Sequence, residues 1–174
     1  MDLIIKRIWS MPNKWTFKIK PIKDLIYRYV KDGKGWIDPF AGKYSPAELT
    51  NDLNPDMPTI HHLSALTFLK AQKNNSFIGV LFDPPYSPRQ VKEVYNGIGI
   101  KTVMKDTQAS VWSNWKKEIA RIVKPNGIVI CCGWNSMGIG KNRGFKMLEI
   151  LLVPHGGAKN DTIVTVEQKE ENLL

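Results

Sequence analysis

The stretch that decides the fold is Phe77-Ile78-Gly79-Val80-Leu81-Phe82, which leads directly into Asp83-Pro84-Pro85-Tyr86. An uncharged apolar run of this length, ended abruptly by prolines, predicts a buried strand. The acid, the two prolines and the aromatic residue therefore lie just past the end of that strand. This is the position where α/β proteins place ligand-binding residues.

The turn at Asp83 has the chemistry needed to hold a planar amino group. The amine of a nucleobase is a poor nucleophile because its lone pair is delocalised into the ring, and a protein that alkylates it has to accept hydrogen bonds from both N–H groups. Asp83 offers a carboxylate, and the Pro84 carbonyl has a fixed direction because proline locks φ. Tyr86 offers a flat face for the ring. The alternative is a strand-ending turn in which Asp83 only caps the strand and the prolines stop it.

A second acidic turn upstream favours the ligand-binding interpretation. The short apolar segment Gly35-Trp36-Ile37 leads into Asp38-Pro39-Phe40-Ala41-Gly42, and Asn51-Asp52-Leu53-Asn54-Pro55 follows. In a doubly wound sheet, the loop after the first strand and the acid that ends the second strand face one crevice. The acid suits a ribose diol, and the glycine lets the backbone approach a ligand closely.

Together these motifs resemble those of the S-adenosylmethionine-dependent methyltransferases that modify exocyclic amines of nucleic acids, especially the small phage-type adenine-N6 DNA methyltransferases. The resemblance spans nearly the whole chain. It identifies residues 13–22 with the N-terminal cofactor segment, 38–42 with the first cofactor loop, 83–86 with the catalytic motif and 153–163 with the closing hairpin. The fold that it implies is α/β, with a Rossmann-like doubly wound methyltransferase sheet that is mostly parallel and has a C-terminal antiparallel hairpin strand.

The resemblance also implies a role for each motif residue. The target base would be held by Asp83, Pro84, Pro85 and Tyr86, and the cofactor S-adenosylmethionine would be contacted by Thr16, Phe17, Asp38, Pro39, Phe40, Ala41, Gly42, Asp52, Leu53 and Ser64. Two positions depart from the family pattern. Lys43-Tyr44 stands where the family often has a small residue and a second glycine. Ser64 stands where it often has an acid for the cofactor adenine, so a hydrogen bond from Ser64 would lack charge assistance.

The implied reaction is methyl transfer to N6 of an adenine that has been flipped out of DNA. Asp83 and the Pro84 carbonyl would orient the amine while Tyr86 stacks on the ring, so that catalysis is mainly orientation and electrostatics. Cytosine-N4 enzymes tend to have serine at the first position of the motif, so Asp83 favours adenine. The open alternatives are methylation of cytosine N4, RNA or a protein amine, and a non-catalytic nucleic-acid-binding subunit with the same fold.

The formal net charge of +9 indicates a nucleic-acid partner, most simply double-stranded DNA, because Lys and Arg that neutralise phosphates release counterions. Placement along the chain favours Lys101, Lys105, Lys141 and Arg143 as nucleic-acid-binding residues. A second basic group consists of Lys14, Lys18, Lys20 and Lys23. These four lysines are expected to serve the cofactor carboxylate or only solubility.

Length and composition predict one domain over residues 1–174, in the cytoplasm of a bacterial or phage-infected cell. The chain has neither a membrane-spanning apolar stretch nor the residue order of a secretory signal. Cys131 and Cys132 are adjacent in an apolar run and are expected to be buried, with no disulfide and no metal.

The remaining elements follow an alternating α/β order. Helical spacing predicts helices over residues 21–31 and 59–70. A third helix is predicted to begin at residue 113 and to end at the helix-breaking sequence Lys124-Pro125-Asn126-Gly127. Strands are predicted at residues 49–53, 128–132, 146–154 and 162–168, the last two as an antiparallel edge. Residues 89–95 form either a short helix or a mobile lid. Trp134 and Ser136 follow the 128–132 strand and are candidates for contact with the flipped base or the DNA. The alternative for Trp134 is that it only packs at the end of the strand.

No stretch of the sequence is long enough for a separate target-recognition domain. Residues 87–113 are the best candidate for a recognition or lid segment, because they are polar and basic and follow the catalytic turn. A flexible lid without sequence preference is an alternative. A homodimer or a partner subunit could also supply target recognition. By analogy, the small size suggests an orphan modification enzyme, which is one that does not accompany a restriction enzyme.

Overall fold

A computed structural model describes residues 2–101, 108–157 and 159–171. These residues form seven strands and four helices. The strands are β1 (Ile4–Arg7), β2 (Trp36–Asp38), β3 (Leu49–Thr50), β4 (Phe77–Phe82), β5 (Val123–Gly133), β6 (Phe145–Val153) and β7 (Thr162–Lys169). The helices are α1 (Lys20–Val30), α2 (Ala65–Lys70), α3 (Pro88–Gly97) and α4 (Ala109–Ile122), and short 3-10 turns lie at Thr16–Lys18 and Lys141–Arg143.

The strands form a single sheet in the order β1-β6-β7-β5-β4-β2-β3. Every neighbouring pair is parallel except the two that involve β7, which runs antiparallel to β5 and β6. The chain order reverses beside β2 and β4, so the crevice at their carboxyl ends is a topological switch point. The predicted fold, a mostly parallel Rossmann-like sheet with an antiparallel C-terminal hairpin, is confirmed.

Alternate residues of the central strands enter two different hydrophobic cores, because successive side chains of a strand point to opposite faces. Leu81 and Ile130 pack on the α1 side, whereas Val80 and Val129 pack on the side of α2 and α4. Both faces are therefore covered, as the continuous apolar run of β4 predicts. Cys131 and Cys132 are buried on opposite faces of β5, as expected from the sequence, and both are free thiols.

Helix α1 agrees closely with its prediction because its ends carry clear signals. Pro21 lies in the first turn, where its missing N–H costs nothing. Lys31 adopts a left-handed φ of 56° beyond the last turn, and Gly33 follows with a φ of 80°. The residues that face the sheet, Ile22, Leu25, Ile26 and Val30, are all buried.

Several predicted boundaries were wrong. The predicted helix over residues 59–70 exists only as α2, because residues 59–64 form a loop whose backbone pairs with the β3 segment through an Asn51–His61 bridge. Strand β3 has two residues rather than the five predicted. Helix α4 begins four residues before Ser113, and β5 extends back to Val123 across an irregularity in its pairing with β4. Within the 87–113 segment, Pro88–Gly97 is helical.

Strand β1 was not predicted from the sequence. It pairs in parallel with β6 at the sheet edge, and all four of its residues are exposed. A strand without a buried face has no alternation of apolar and polar residues, so the usual periodicity signal is missing.

A buried acid joins helix α1 to the sheet. Glu149 of β6 is fully buried and accepts two hydrogen bonds of 3.0 Å from the Arg28 guanidinium and one of 2.9 Å from the Tyr29 hydroxyl. Lys6 of β1 lies 3.5 Å away. Burial alone would raise the pKa of Glu149, but the hydrogen bonds and charge of its partners outweigh burial and leave the pKa below its ordinary value.

Across the described ranges, no helix combines the length and the apolar character that crossing a membrane requires.

Candidate active site

A cavity of about 400 Å³ opens at the carboxyl ends of β2 and β4. Its size falls in the usual range for a small-molecule or cofactor site. Its walls come from the 3-10 turn near Thr16, the loop after β2, the acidic turn after β3, the turn after β4 and helix α3. The predicted site residues that line it are Thr16, Phe17, Pro39, Phe40, Ala41, Gly42, Asp52, Leu53, Asp83, Pro84, Pro85 and Tyr86.

Asp83 is the acid at the centre of this wall. The Tyr86 hydroxyl donates a hydrogen bond to its Oδ1, and the Thr16 hydroxyl also bonds the carboxylate. Burial raises the pKa of Asp83, and these two hydrogen bonds partly counteract the rise. The N-terminal turn, which holds Thr16, and the β4 turn are thus joined through the side chain that the sequence singles out.

The turn from Asp83 to Tyr86 and the start of α3 are held by three contacts. The Pro85 carbonyl accepts a 2.9 Å hydrogen bond from Trp112 Nε1, and the Tyr86 N–H donates to Gln90 Oε1 at 2.5 Å. Ser87 caps helix α3 through the Gln90 N–H. The Pro84 carbonyl accepts no hydrogen bond from residues 2–101, 108–157 or 159–171. One acceptor of the turn is therefore available to a ligand, while its neighbour is used to fix the turn.

Asp38 lies beneath the cavity rather than in its lining. It is fully buried, and it accepts a 2.9 Å hydrogen bond from the Phe40 N–H and a 2.6 Å hydrogen bond from the Ser45 hydroxyl. Burial raises the pKa of Asp38 to about 7, against the lowering effect of these two bonds. Asp38 therefore shapes the loop from 38 to 45 from below, and Pro39 to Gly42 carry the surface that faces the cavity.

Replacing Asp38 by Asn is expected to flatten the pH dependence of stability. The native pKa of about 7 lies above the ordinary value of 3.8 for this carboxyl, so the native state binds an extra proton between these two pH values, and stability falls as pH rises from 3.8 to about 7. This difference corresponds to at most about 4 kcal/mol. Chemical denaturation of both proteins from pH 4 to pH 8 covers the range in which this difference develops. Parallel pH profiles for wild type and Asp38→Asn would contradict this assignment.

Gly42 and Asp52 connect the two acidic turns. The Gly42 N–H donates a 2.9 Å hydrogen bond to Asp52 Oδ2, and the Asn54 N–H binds the other carboxylate oxygen at 2.8 Å. Gly42 has a φ of 52°, and a Cβ atom there would lie 3.1 Å from the Trp15 ring. A side chain at this position would therefore be strained and crowded. The half-buried Asp52 carboxylate keeps further lone pairs for the hydroxyl groups of a ligand.

Aromatic residues form the inner wall and one side of the mouth. Phe40 packs edge-on against Trp115 of α4 with ring centroids 4.9 Å apart. Trp15 packs edge-on against Tyr44 at 5.6 Å, and both rings line the cavity. No individual role was predicted for Trp15, Tyr44, Gln90 or Trp115. Trp15 lies within the 13–22 segment that the resemblance identifies with the cofactor, and its position beside Thr16 was the available signal.

Trp134 lies beside the turn from Asp83 to Tyr86. Its ring is 5.6 Å from the Tyr86 ring in an edge-to-face arrangement and is 40% exposed. A smaller cavity of about 80 Å³ lies behind the turn and is lined by Pro84, Tyr86 and Trp134 among others. Ser136 is exposed in the following loop.

Other predicted residues lie outside the cavity lining. Ser64 caps α2 by accepting a hydrogen bond from the Thr67 N–H. Lys101 and Lys141 are exposed, whereas the Arg143 guanidinium binds the Ile139 carbonyl, Asn142 and Ser113. Lys105 lies outside the described residues. Within the described ranges, no group of three or more His, Cys, Asp or Glu residues could hold a metal ion.

No protein-family model matches the sequence, and no curated protein has a significantly similar sequence. Solved structures are similar in fold. The 1,6-didemethyltoxoflavin-N1-methyltransferase of Burkholderia thailandensis, solved with 1,6-didemethyltoxoflavin and S-adenosylhomocysteine, gives a TM-score of 0.60 at 11% identity over 87% of this chain and 78% of that one. TrmN of Thermus thermophilus gives 0.56 at 13% identity over 87% of this chain and 49% of that one.

A third similar structure is a Haemophilus influenzae protein provisionally described as a methylase, with a TM-score of 0.52 at 14% identity over 87% of this chain and 96% of that one. At sequence identities this low, the structural similarity shows the fold alone. The chain has the Rossmann-like methyltransferase fold, and its cavity lies at the switch point of the sheet.

Proposed function

We propose that this protein transfers a methyl group from S-adenosylmethionine to the N6 amine of adenine in DNA. The observation that carries the proposal is the position of the Asp83-Pro84-Pro85-Tyr86 turn in the wall of the cavity that the loop after β2 also lines. A cofactor and a flipped base bound there would meet at Asp83. The turn presents one carboxylate and one carbonyl, which is the pair of acceptors that an amine with two N–H groups requires.

The residues of the cavity fit the proposed cofactor. Asp52 offers carboxylate oxygens to a ribose diol, and Phe40 and Trp115 give an apolar wall for an adenine ring. Gly42 lets the backbone of the loop come close. When bound, S-adenosylmethionine would supply an electrophilic methyl group on a sulfonium, and loss of that methyl group would leave the neutral thioether S-adenosylhomocysteine.

The catalytic turn has three tasks in this proposal. The Asp83 carboxylate accepts one N–H of the target amine, and the Pro84 carbonyl accepts the other, so that the nitrogen lone pair is directed at the cofactor side of the cavity. Tyr86 offers its ring to the base after it leaves the duplex stack. As nitrogen gains a bond to carbon it becomes more acidic, and Asp83 is the nearest base in the turn for the proton that nitrogen loses.

Labelled methyl transfer tests the proposal. The protein is incubated with methyl-labelled S-adenosylmethionine and duplex DNA of mixed sequence, with RNA of the same sequence in parallel. We expect label in DNA and a melting temperature that rises with S-adenosylmethionine, since a ligand bound only to the native state stabilises it. Label in RNA alone, or in neither nucleic acid, contradicts the proposed substrate. An unchanged melting temperature contradicts the cofactor.

A further inference from the structure

Three lysines surround the aromatic pair at the mouth of the cavity. Lys14 Nζ lies 5.0 Å from the Trp15 ring centroid, and Lys18 and Lys43 lie 4.9 Å and 5.8 Å from the Tyr44 ring. All three lysines are exposed, and Tyr44 is 41% exposed. We call Lys14, Lys18 and Lys43 the lysine rim. Lys43 and Tyr44 are the residues that stand where the resembled family often has a small residue and a glycine.

The lysine rim carries uncompensated charge. Nearby Lys20 forms an ion pair of 2.8 Å with Asp24, and Lys34 lies 3.7 Å from Asp32. No described carboxylate forms an ion pair with a lysine of the rim. Their ammonium groups are instead held near ring faces, which attract cations without neutralising them. The rim is therefore three positive charges, positioned in advance, beside the entrance to the site.

We propose that the lysine rim binds the phosphates of the DNA strand that carries the target base. This inference rests on the proposed function and names the surface that receives its substrate. Of the three lysines only Lys14 lines the cavity, so Lys18 and Lys43 lie outside the space available to a bound cofactor. A strand whose base enters the cavity runs past this mouth with phosphates on both sides of that base. A polyanion matches three fixed cations, whereas a single cofactor carboxylate needs one.

The aromatic pair fits the same partner. A nucleotide next to a flipped base loses a stacking neighbour, and an exposed aromatic ring can replace that neighbour in a sequence-independent way. Tyr44 offers such a ring at the mouth. By comparison, Arg143 was predicted from the sequence to bind nucleic acid, but its guanidinium already donates hydrogen bonds to three protein groups. The lysine rim, whose charges are not used in ion pairs with described carboxylates, is therefore the better candidate for the surface that binds DNA.

The salt dependence of DNA binding tests this inference. The triple variant Lys14→Gln, Lys18→Gln, Lys43→Gln is compared with Lys70→Gln, Lys73→Gln, Lys124→Gln, which removes the same charge from exposed lysines near the opposite, amino-terminal edge of β4 and β5. Binding of a fluorescent duplex is measured with S-adenosylhomocysteine present at several NaCl concentrations. The slope of log K against log[salt] is expected to fall by about 2 to 3 in the rim variant, since each phosphate contact contributes about 0.9. The control variant keeps the wild-type slope.

Two outcomes would overturn the inference: equal slopes in the two triple variants, or an unchanged slope together with weaker S-adenosylhomocysteine binding, which would assign the lysines to the cofactor. The single variants Lys18→Gln and Lys43→Gln are each expected to lower the slope by about 1. They provide the test if the triple variant has too low a melting temperature for the binding assay. The binding assay needs no methyl transfer. If the slope changes as expected but no N6-methyladenine is made, the result supports DNA binding by the lysine rim and contradicts the proposed reaction.

Discussion

Asp83→Ala protein is expected to lose at least about 100-fold in the rate of methyl transfer, the scale of removing one preorganised electrostatic contact. The reason is that the variant removes the carboxylate that would orient the target amine, together with the acceptor that joins Thr16 and Tyr86. The measurement is single-turnover transfer of a labelled methyl group to duplex DNA. Cofactor affinity should change little, because Asp52 and the loop at Gly42 are untouched.

Two further variants separate the role of Asp83 from general effects of charge. Asp83→Asn keeps the size of the side chain but removes the negative charge, and it is expected to retain only a small part of the rate. Asp56→Asn changes an exposed acid in the loop after β3 and should leave the rate unchanged. If Asp83→Ala transferred methyl groups at the wild-type rate, the catalytic turn would have no part in the reaction.

Arg28→Met is expected to destabilise the protein by about 3 kcal/mol, because Glu149 would remain buried without its main partner. For a chain of this length, the loss corresponds to a fall of about 10 °C in melting temperature. The loss should be larger at neutral than at acid pH. Without Arg28, burial raises the pKa of Glu149, and the variant regains stability once the acid is protonated. Thermal unfolding at pH 5 and pH 7.5 measures both effects.

Two control variants are used, one with a change elsewhere in helix α1 and one with both partners of the Arg28–Glu149 pair changed. Lys20→Met breaks the exposed pair with Asp24 and should cost less than about 1 kcal/mol. The double variant Arg28→Met, Glu149→Gln removes the unpaired charge while keeping an acceptor for Tyr29, so it should recover much of the loss. An Arg28→Met protein as stable as Lys20→Met would show that the buried pair does not hold α1 to the sheet.

The parts of the fold that were predictable are those whose sequence signals arise from burial. The run from Phe77 to Phe82 is apolar because both faces of β4 are covered, and it therefore indicated a central strand. The turn that follows this strand lines the cavity. Helix α1 was predicted nearly to the residue because Pro21 and its buried face mark it. In both elements, local pattern and tertiary environment agree.

The parts that were missed depend on contacts distant in sequence. Strand β1 exists because β6 offers a free edge, and its own exposed residues carry no periodic pattern. Residues 59–64 have helical spacing, yet the backbone bridge from His61 to Asn51 holds them in a loop. The pairing of Trp15 with Tyr44 joins segments 29 positions apart by residue number, and neither residue alone indicates that it lies at the mouth of a cavity.

The most direct test of the proposed activity is the identity of the methylated nucleoside. DNA that has been incubated with the protein and labelled S-adenosylmethionine is digested to nucleosides and separated by chromatography with mass detection. The account predicts label in N6-methyladenine, present with wild-type protein and absent with Asp83→Ala. Label in 4-methylcytosine, or no labelled nucleoside from DNA that the protein demonstrably binds, would contradict it.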